Sequence, residues 1–219
     1  TNYIIVVDDD INVHDETAVL RRVFECSNFA RDLEVVNGPL DILDHAAPRL
    51  GAGHKLGIDA TRKIAGEEVN GIAIESGIHR ATPTDCNRWA SNVIAFPDFG
   101  MGRCAFIAVD KQRAGDGARA IENLWRETPD GVADFVIAVN ANVDITNRQE
   151  LLFHWCANTD PGRDMHPQGH RVGFDATTKC KGDEHNGQPV RDYPAIIEMD
   201  AAIIRSIRAR ASEFGLLEN

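Results

Sequence analysis

Three adjacent carboxylates, Asp8, Asp9 and Asp10, follow an apolar run that ends at Val7. Because the last four residues of that run are β-branched, we predict a buried strand with the carboxylates at its end. Carboxylate oxygens in that position could bind a hard divalent cation. The same side chains could instead accept hydrogen bonds from nearby backbone N–H groups and hold a turn. This stretch alone leaves both interpretations open.

The chain contains a second, similar stretch. Residues 135–147 (FVIAVNANVDITN) match residues 3–15 (YIIVVDDDINVHD), with apolar residues at the same first five positions. Asn140-Ala141-Asn142 stands where the first copy has its three aspartates. Further pairs of segments match at equivalent places: 16–32 with 148–164, and 54–63 (HKLGIDATRK) with 170–179 (HRVGFDATTK).

The first two pairs are offset by 132 residues, and the third by 116 after a deletion of 16 residues in the second copy. A match this long at a fixed offset predicts an internal duplication. Amides form turns as readily as carboxylates do, so the feature that both copies share is the turn and not its charge. The repeat therefore favours a capping role for Asp8–Asp10 over a cation site, which remains the alternative.

Other residues that could do chemistry give weaker signals. Gly51 to Lys55 (GAGHK) suggests a phosphate-binding loop, but it lacks the GxxxxGK[ST] spacing and the helix that should follow. Lys55 is the candidate for an anion contact if this segment forms one side of a larger pocket, and a solvated lysine is the alternative. The eight histidines show no zinc-ligand spacing, so we predict no metal site. No carboxylate pair can be assigned as general acid and base.

Composition excludes several classes of partner. The net charge of −11 argues against binding to duplex nucleic acid, which requires basic contacts to phosphates. No apolar run is long enough for a membrane span, and no signal peptide is recognisable. Five scattered cysteines without a CxxC predict a cytoplasmic protein with reduced, buried thiols. The chain starts at Thr1 and not at Met, which suggests a piece of a longer protein.

These patterns predict an α/β fold of two related strand–helix–strand units, with mainly parallel or mixed sheets flanked by helices. Residues 1–69 form the first unit, 70–133 a connecting α/β segment, and 134–219 a shortened second unit with a C-terminal helix.

Individual elements can also be predicted. Residues 104–109 are expected to form a strand, and 118–127 a helix with Ala118, Ile121, Leu124 and Trp125 facing inward. Asn37-Gly38-Pro39 is expected to turn the chain. The closing helix, 199–217, should begin after Asp200 as its N-cap and stop at Gly215.

The motifs VVDDDINVHD, ARD, NGPLDILDHAAP and KLGIDATRK occur here in this order. Together they closely resemble the C-terminal region of UbiD-type decarboxylases, and most of all the longer members associated with menaquinone biosynthesis. Those members also carry a second, shortened copy that ends in a segment like RDYP (191–194) and a closing helix. The resemblance covers residues 1–66 and 134–219, whereas 67–133 match only loosely.

The resemblance implies a reversible, non-oxidative carboxy-lyase that acts on an aromatic or unsaturated acid with prenylated FMN. The family's flavin-binding domain and its catalytic Glu–Arg–Glu set lie upstream, so no catalytic residue is assigned in this chain. A basic residue before the first strand reaches the flavin phosphate in the family, but Asn2 and Asp134 stand at those places. This fragment alone is therefore expected to bind no flavin and to be inactive.

In the family, the C-terminal region mediates subunit association and lends a loop to the substrate pocket. By position that loop starts near Pro39, with Leu40, Leu43 and His45 as candidate pocket residues beside Lys55. The expected partners are further copies of the chain, with a dimer as the default, and the flavin-binding domain of the same protein. The alternative function, from a different class, is a signalling or scaffold module that binds a divalent cation through Asp8–Asp10.

Overall fold

The computed structural model describes residues 2–69, 72–73, 92–94, 103–129, 132–195, 197 and 199–215. The strands are β1 Tyr3–Val6, β2 Leu33–Pro39, β3 Ala52–Asp59, β4 Glu68–Val69, β5 Ile72–Ala73, β6 Val93–Ile94, β7 Cys104–Val109, β8 Phe135–Asn140, β9 Met165–Gln168 and β10 Arg171–Asp175. The helices are α1 Glu16–Cys26, α2 Asp116–Glu127, α3 Arg148–Asn158, α4 Pro161–Asp164, α5 Ala201–Ala209 and a 3₁₀ turn at Ala211–Phe214.

Two mixed sheets organise the molecule. Sheet 1 has the order β1-β3-β2, with β1 parallel and β2 antiparallel to the central β3. Sheet 2 has the order β6-β7-β8-β10-β9, in which β7, β8 and β10 are parallel and the two edge strands antiparallel. Strands β4 and β5 form a separate antiparallel pair. The predicted fold class, α/β with mixed sheets flanked by helices, is confirmed.

The two matching sequence stretches fold into the same elements with the same strand register. Tyr3 lies opposite Leu56 in sheet 1, and the equivalent Phe135 lies opposite Val172 in sheet 2. The antiparallel pairs also correspond: Leu33 with Ile58, and Met165 with Phe174. Each unit therefore contains a first strand, a helix, an antiparallel strand and a central strand that receives both.

One buried apolar cluster joins the two units. Its aromatic contacts cross from one unit to the other: the rings of Tyr3 and Trp155 are 4.8 Å apart, and those of Phe24 and Phe135 are 5.6 Å apart. Leu56 and Ile58 from β3 are fully buried in the same cluster. The inner faces of both sheets and the helices α1 and α3 thus share one core.

A second cluster lies on the outer face of sheet 2, under α2. Ile121, Leu124 and Trp125 of α2 pack there with small residues of the parallel strands. Three of the four predicted inward residues of this helix are buried as expected, and Ala118 is only half-buried. The helix begins at Asp116, two residues before the predicted start.

Several local expectations were wrong. Asn37-Gly38-Pro39 does not turn the chain, because β2 pairs with β3 through Pro39 opposite Ala52. The GAGHK segment, whose sequence lacks both the phosphate-loop spacing and the helix that should follow, lies mostly in β3. Favourable strand partners override the local turn preference of Asn-Gly-Pro.

The C-terminal helix is shorter than predicted. Asp200 is its N-cap and accepts hydrogen bonds from the N–H groups of Ala202 and Ile203, as expected. The α-helix ends at Ala209, and Gly215 (φ +67°) follows the 3₁₀ turn in the left-handed conformation expected of it. No helix within the described ranges is long and apolar enough to cross a membrane.

The expectation of uniformly buried thiols is also wrong. Cys104 is buried and Cys26 is half-buried, but Cys156 and Cys180 are exposed. All four are free thiols, and Cys86 lies outside the described residues.

Candidate functional site

The acidic turn after β1 is held by arginines and by backbone. The Asp8 carboxylate accepts hydrogen bonds from the Arg62 N–H at 3.0 Å and from the Arg22 guanidinium at 2.6 Å. Asp10 also accepts from Arg22, at 3.3 Å, and from Arg62. Asp9 is exposed. The turn ties the end of β1 to the segment after β3.

In the second unit an uncharged side chain connects the end of β8 to the segment after β10. The side-chain oxygen of Asn140 accepts a hydrogen bond from the Thr178 N–H at 2.7 Å, at the position equivalent to the bond between Asp8 and Arg62. No group of three or more metal-ligating side chains is found in the part of the chain that the structure describes. Because Asp8 and Asp10 are engaged by guanidinium groups, the cation-binding alternative is not favoured.

Residues 40–51 form the loop between β2 and β3, which we call the closing loop. Its base is packed: Ala46 and Ala47 are fully buried, and Asp44 accepts hydrogen bonds from both of their N–H groups at 3.0 and 3.1 Å. The Leu40 N–H donates to the carbonyl of Gly51 at 2.9 Å, closing the loop.

The second unit holds this loop from the other side. The His45 ring nitrogen Nε2 lies 3.0 Å from the side-chain oxygen of Asn158, and its ring packs edge-on against Tyr193 at 5.0 Å. The Arg191 guanidinium donates to the Asp44 carbonyl at 3.1 Å. The base of the loop is therefore fixed by three residues that lie far along the chain.

The tip of the closing loop is apolar and exposed. Leu43 has 84% of its surface accessible, and Ile42 and Leu50 are also exposed. A rigid base with an uncovered apolar tip suits contact with another domain or a ligand.

The predicted pocket residues fall into different surroundings. His45 lies at the base of the closing loop, Leu43 at its tip, and Leu40 is half-buried against Gly53. Pro39 is exposed at the end of β2. Lys55 points to the outer face of sheet 1, where it pairs with Val36, and so lies apart from the loop. Their role in a pocket stays a prediction.

Sequence reasoning missed a histidine–carboxylate pair between the units. The buried carboxylate of Asp160 accepts hydrogen bonds from the His54 backbone N–H at 2.8 Å and lies 2.7 Å from ring nitrogen Nδ1. Asp160 also caps α4, accepting from the N–H groups of Gly162 and Arg163. Only the position of Asp160 before a proline hinted at a cap.

Buried ion pairs occupy equivalent places in both units. Arg31 and Asp32 form a two-pronged pair at 2.6 and 2.8 Å, and Arg163 and Asp164 form the same pair at 2.9 Å. The Arg-Asp ending that both sequence copies share was the visible signal for these pairs.

Asp175, at the end of β10, is a buried carboxylate that accepts hydrogen bonds from Thr177 and Lys179. Burial raises the pKa of Asp175, but the charges of Lys179 and Lys111 and hydrogen bonds from Thr177 outweigh it and lower this pKa below 3.8. Lys111 also donates to Asp183 at 2.7 Å, a buried pair that no sequence pattern indicated. These charges neutralise one another and hold the loop after β10.

The residues at the expected flavin positions do not suit a phosphate. The Asn2 amide donates to the Asp44 carboxylate, and Asp134 is buried beside Arg103 at 3.0 Å. Both side chains are thus engaged within the chain, and the absence of flavin contact at these two places stays a prediction.

Comparison with known protein families agrees with this architecture. Residues 1–60 and 86–184 match the 3-octaprenyl-4-hydroxybenzoate carboxy-lyase C-terminal domain family, UbiD_C. The match covers more than half of the chain, and the chain belongs to this family.

Two solved structures are similar in fold. An evolved dimeric form of the UbiD-class enzyme HmfF from Pelotomaculum thermopropionicum, in complex with prFMN, is 19% identical over 51% of this chain and 23% of its own, with a TM-score of 0.40. The vanillic acid decarboxylase of Sedimentibacter hydroxybenzoicus, in open form, is 18% identical over 56% of this chain and 30% of its own, with a TM-score of 0.41. The matched region thus spans less than a third of either enzyme.

Proposed function

We propose that this chain is the C-terminal portion of a UbiD-like decarboxylase that closes the substrate pocket and mediates subunit association. The full-length protein would remove carbon dioxide from an aromatic or unsaturated acid, in a reaction related to quinone biosynthesis. Prenylated FMN would supply the electron sink and would be bound by an upstream domain. The chain would act in the cytoplasm.

The observation that carries this proposal is the closing loop. Its base is fixed by His45, Asp44 and the second unit, while its apolar tip is exposed. Together Ile42, Leu43 and Leu50 leave apolar surface of the loop in water, and a neighbouring surface would cover it. Family membership makes the upstream domain the natural neighbour. The loop would then exclude water from the pocket rather than supply a reacting group.

We infer that the two units share an ancestor, because their strands pair in the same register and their buried ion pairs lie at equivalent positions. A comparison of the two units therefore shows what has changed in each. The second unit has lost a long loop between β9 and β10, where a two-residue turn replaces the closing loop of the first. We propose that the second copy has become a support for the first, since Asn158, Arg191 and Tyr193 contact the base of the closing loop.

Substitution in the full-length protein tests the proposal. Replacing Leu43 by Asp is expected to lower kcat/KM by about 10-fold or more, because a charge at the tip would admit water to the pocket. Ile64→Asp, at another exposed apolar position, serves as the matched control and should retain activity. Equal activity of both variants would contradict the pocket-closing role.

The isolated 219-residue chain gives a second test. Mixed with prenylated FMN and aromatic acids, it should release no carbon dioxide and should show no saturable flavin binding by fluorescence. Decarboxylation by the isolated chain would place the reacting groups within it and overturn the proposed division of labour.

A further inference from the structure

The chain contains three Asn-Gly sequences, two of which lie in opposite surroundings. Asn37-Gly38 lies inside β2, Asn186-Gly187 lies in the loop after β10, and Asn70-Gly71 lies outside the described residues. Asparagine is a thermolabile residue, and it loses its side-chain amide most easily before glycine. Glycine has no Cβ to hinder attack by its own backbone nitrogen. The local structure therefore decides which of the two described sites reacts.

Asn186 and Gly187 are the two central residues of a tight turn. Their φ angles are +49° and +71°, and the Gln188 N–H donates to the His185 carbonyl at 2.9 Å across them. Asn-Gly is the preferred pair for a turn with positive φ at both central positions. Both residues are exposed, and the Gly187 N–H donates to no described residue. The attacking nitrogen is therefore free, and water reaches both residues.

The same dipeptide in β2 is held by its neighbours. Gly38 lies opposite Gly53 in the ladder between β2 and β3. Two residues further on, the Leu40 N–H donates across the hairpin at 2.9 Å, and bonded pairs recur at every second residue of an antiparallel ladder. Gly38 is therefore also at a bonded position. The Asn37 side-chain nitrogen lies 3.2 Å from ring nitrogen Nε2 of His54. Attack at Asn37 would first require this part of β2 to separate from β3.

We propose that Asn186 is a site of spontaneous deamidation in the folded protein. The Gly187 nitrogen gives up its proton and attacks the side-chain carbon Cγ of Asn186. A new C–N bond forms, and the bond between Cγ and Nδ2 breaks to release ammonia. Water then opens the resulting cyclic imide at either of its carbonyl carbons. The products are aspartate and isoaspartate, and the net change is the uptake of water and the loss of ammonia.

Both products weaken the attachment of the turn. The Asn186 side-chain nitrogen donates to the Gly162 carbonyl at 3.4 Å, and a carboxylate, which only accepts, cannot replace this bond. Isoaspartate also adds a methylene group to the backbone, so the bond between His185 and Gln188 cannot keep its geometry. The turn holds the His185 ring 5.1 Å from that of His166 in β9. Deamidation is therefore expected to loosen this contact.

Peptide mapping by mass spectrometry on the wild-type chain tests the site. The folded chain and the same chain unfolded in guanidinium chloride are incubated side by side in mildly alkaline buffer. In the unfolded chain Asn37 and Asn186 should be converted at similar rates, because both precede glycine. In the folded chain Asn186 should be converted at least about 10-fold faster than Asn37, because a strand inside a sheet opens far more rarely than an exposed turn.

The unfolded chain serves as the reference for the reaction itself. Equal rates at the two sites in the folded chain would overturn the proposal, and so would an intact Asn186 while the unfolded chain reacts. Chromatography separates the aspartate and isoaspartate peptides, and aspartate alone would contradict the cyclic route. Asn186→Gly is the matched control, because glycine accepts positive φ and has no amide to lose. Conversion of Asn37 should be unchanged in this variant.

Amide hydrogen exchange tests the effect on the turn. The Gln188 N–H should exchange faster in the deamidated chain than in the unmodified chain, whereas Ile137 in the middle of the buried strand β8 should be unchanged. Unchanged exchange at Gln188 would overturn the loosening of the turn and leave the reaction site standing. The site depends only on the fold of the second unit, so failure of the decarboxylase role would not affect it.

Discussion

Asp8 and Asp9 are neighbours in sequence with different expected effects on stability. Asp8 accepts hydrogen bonds from the Arg62 N–H and the Arg22 guanidinium, whereas Asp9 is exposed. Asp8→Ala should lower the free energy of unfolding by about 1–3 kcal/mol. Asp9→Ala, which copies Ala141 of the second unit, should change it by less than about 0.5 kcal/mol and leave assembly intact.

Urea titration followed by circular dichroism measures both effects. Asp8→Asn is the matched control, because it copies Asn140 and keeps an acceptor for the Arg62 N–H while losing the charge. We expect the free energy of unfolding of Asp8→Asn to lie between those of wild type and Asp8→Ala. If Asp9→Ala lowered the free energy of unfolding as much as Asp8→Ala does, all three aspartates would contribute to holding the turn.

Asp175 makes stability depend on pH in the acid range. Its pKa in the folded protein lies below 3.8, so the unfolded chain takes up a proton first as the pH falls. Stability from this group is therefore fully present only well above the ordinary pKa of an aspartate, and it is lost as the pH falls through the folded pKa. Asp175→Asn should have a lower free energy of unfolding than wild type at pH 7. Urea titration at pH 7 and at pH 3 should show a smaller decrease in this free energy for the variant than for wild type. If the free energy of unfolding of the variant fell more steeply than that of wild type on acidification, a lowered pKa of Asp175 in the folded protein would be contradicted.

At the scale of elements, the equivalent glycines of β3 and β10 predict opposite results for one substitution. Gly173→Ala forces a methyl group against Ile121 of α2 and should lower the free energy of unfolding by about 1–3 kcal/mol. Gly57→Ala, its matched control, meets nothing closer than Glu34 at 3.8 Å and should change stability by less than about 0.5 kcal/mol. Thermal unfolding at low protein concentration, where association is negligible, compares them. Similar losses in the free energy of unfolding would mean that a helix also covers the outer face of sheet 1 within one chain.

At the scale of the whole molecule, the shared core predicts one cooperative unfolding transition. Leu56 of the first unit is buried in the same cluster as Trp155 of the second. Leu56→Ala should lower the free energy of unfolding by about 2–5 kcal/mol and shift the unfolding midpoints seen by tryptophan fluorescence and by circular dichroism together. Phe153→Ala, at an exposed site in α3, should leave the midpoint unchanged. Two separate transitions would contradict a common core.

Sequence patterns predicted most where local chemistry decides the structure. The strand 104–109, the Asp200 cap and the pairing of apolar runs followed from residue types alone. The outcome at Asn37-Gly38-Pro39 depended instead on the partner strand β3, which no local preference encodes. The pair between His54 and Asp160 could not be predicted either, because it joins segments of different units that are far apart in the sequence. The exposure of Ile4 and Val6 on the outer face of sheet 1 became visible only when the burial of the equivalent strands β1 and β8 was compared.

The shared core also affects folding during synthesis. Leu56 leaves the ribosome long before Phe174, and at about 5–20 residues per second the delay is roughly 6–24 s. Throughout that time the inner face of the first sheet has no partner surface from the second unit. We therefore expect the nascent first unit to bind chaperones until translation has passed β10. Slowing translation between β3 and β8 should then increase aggregation of the newly made protein.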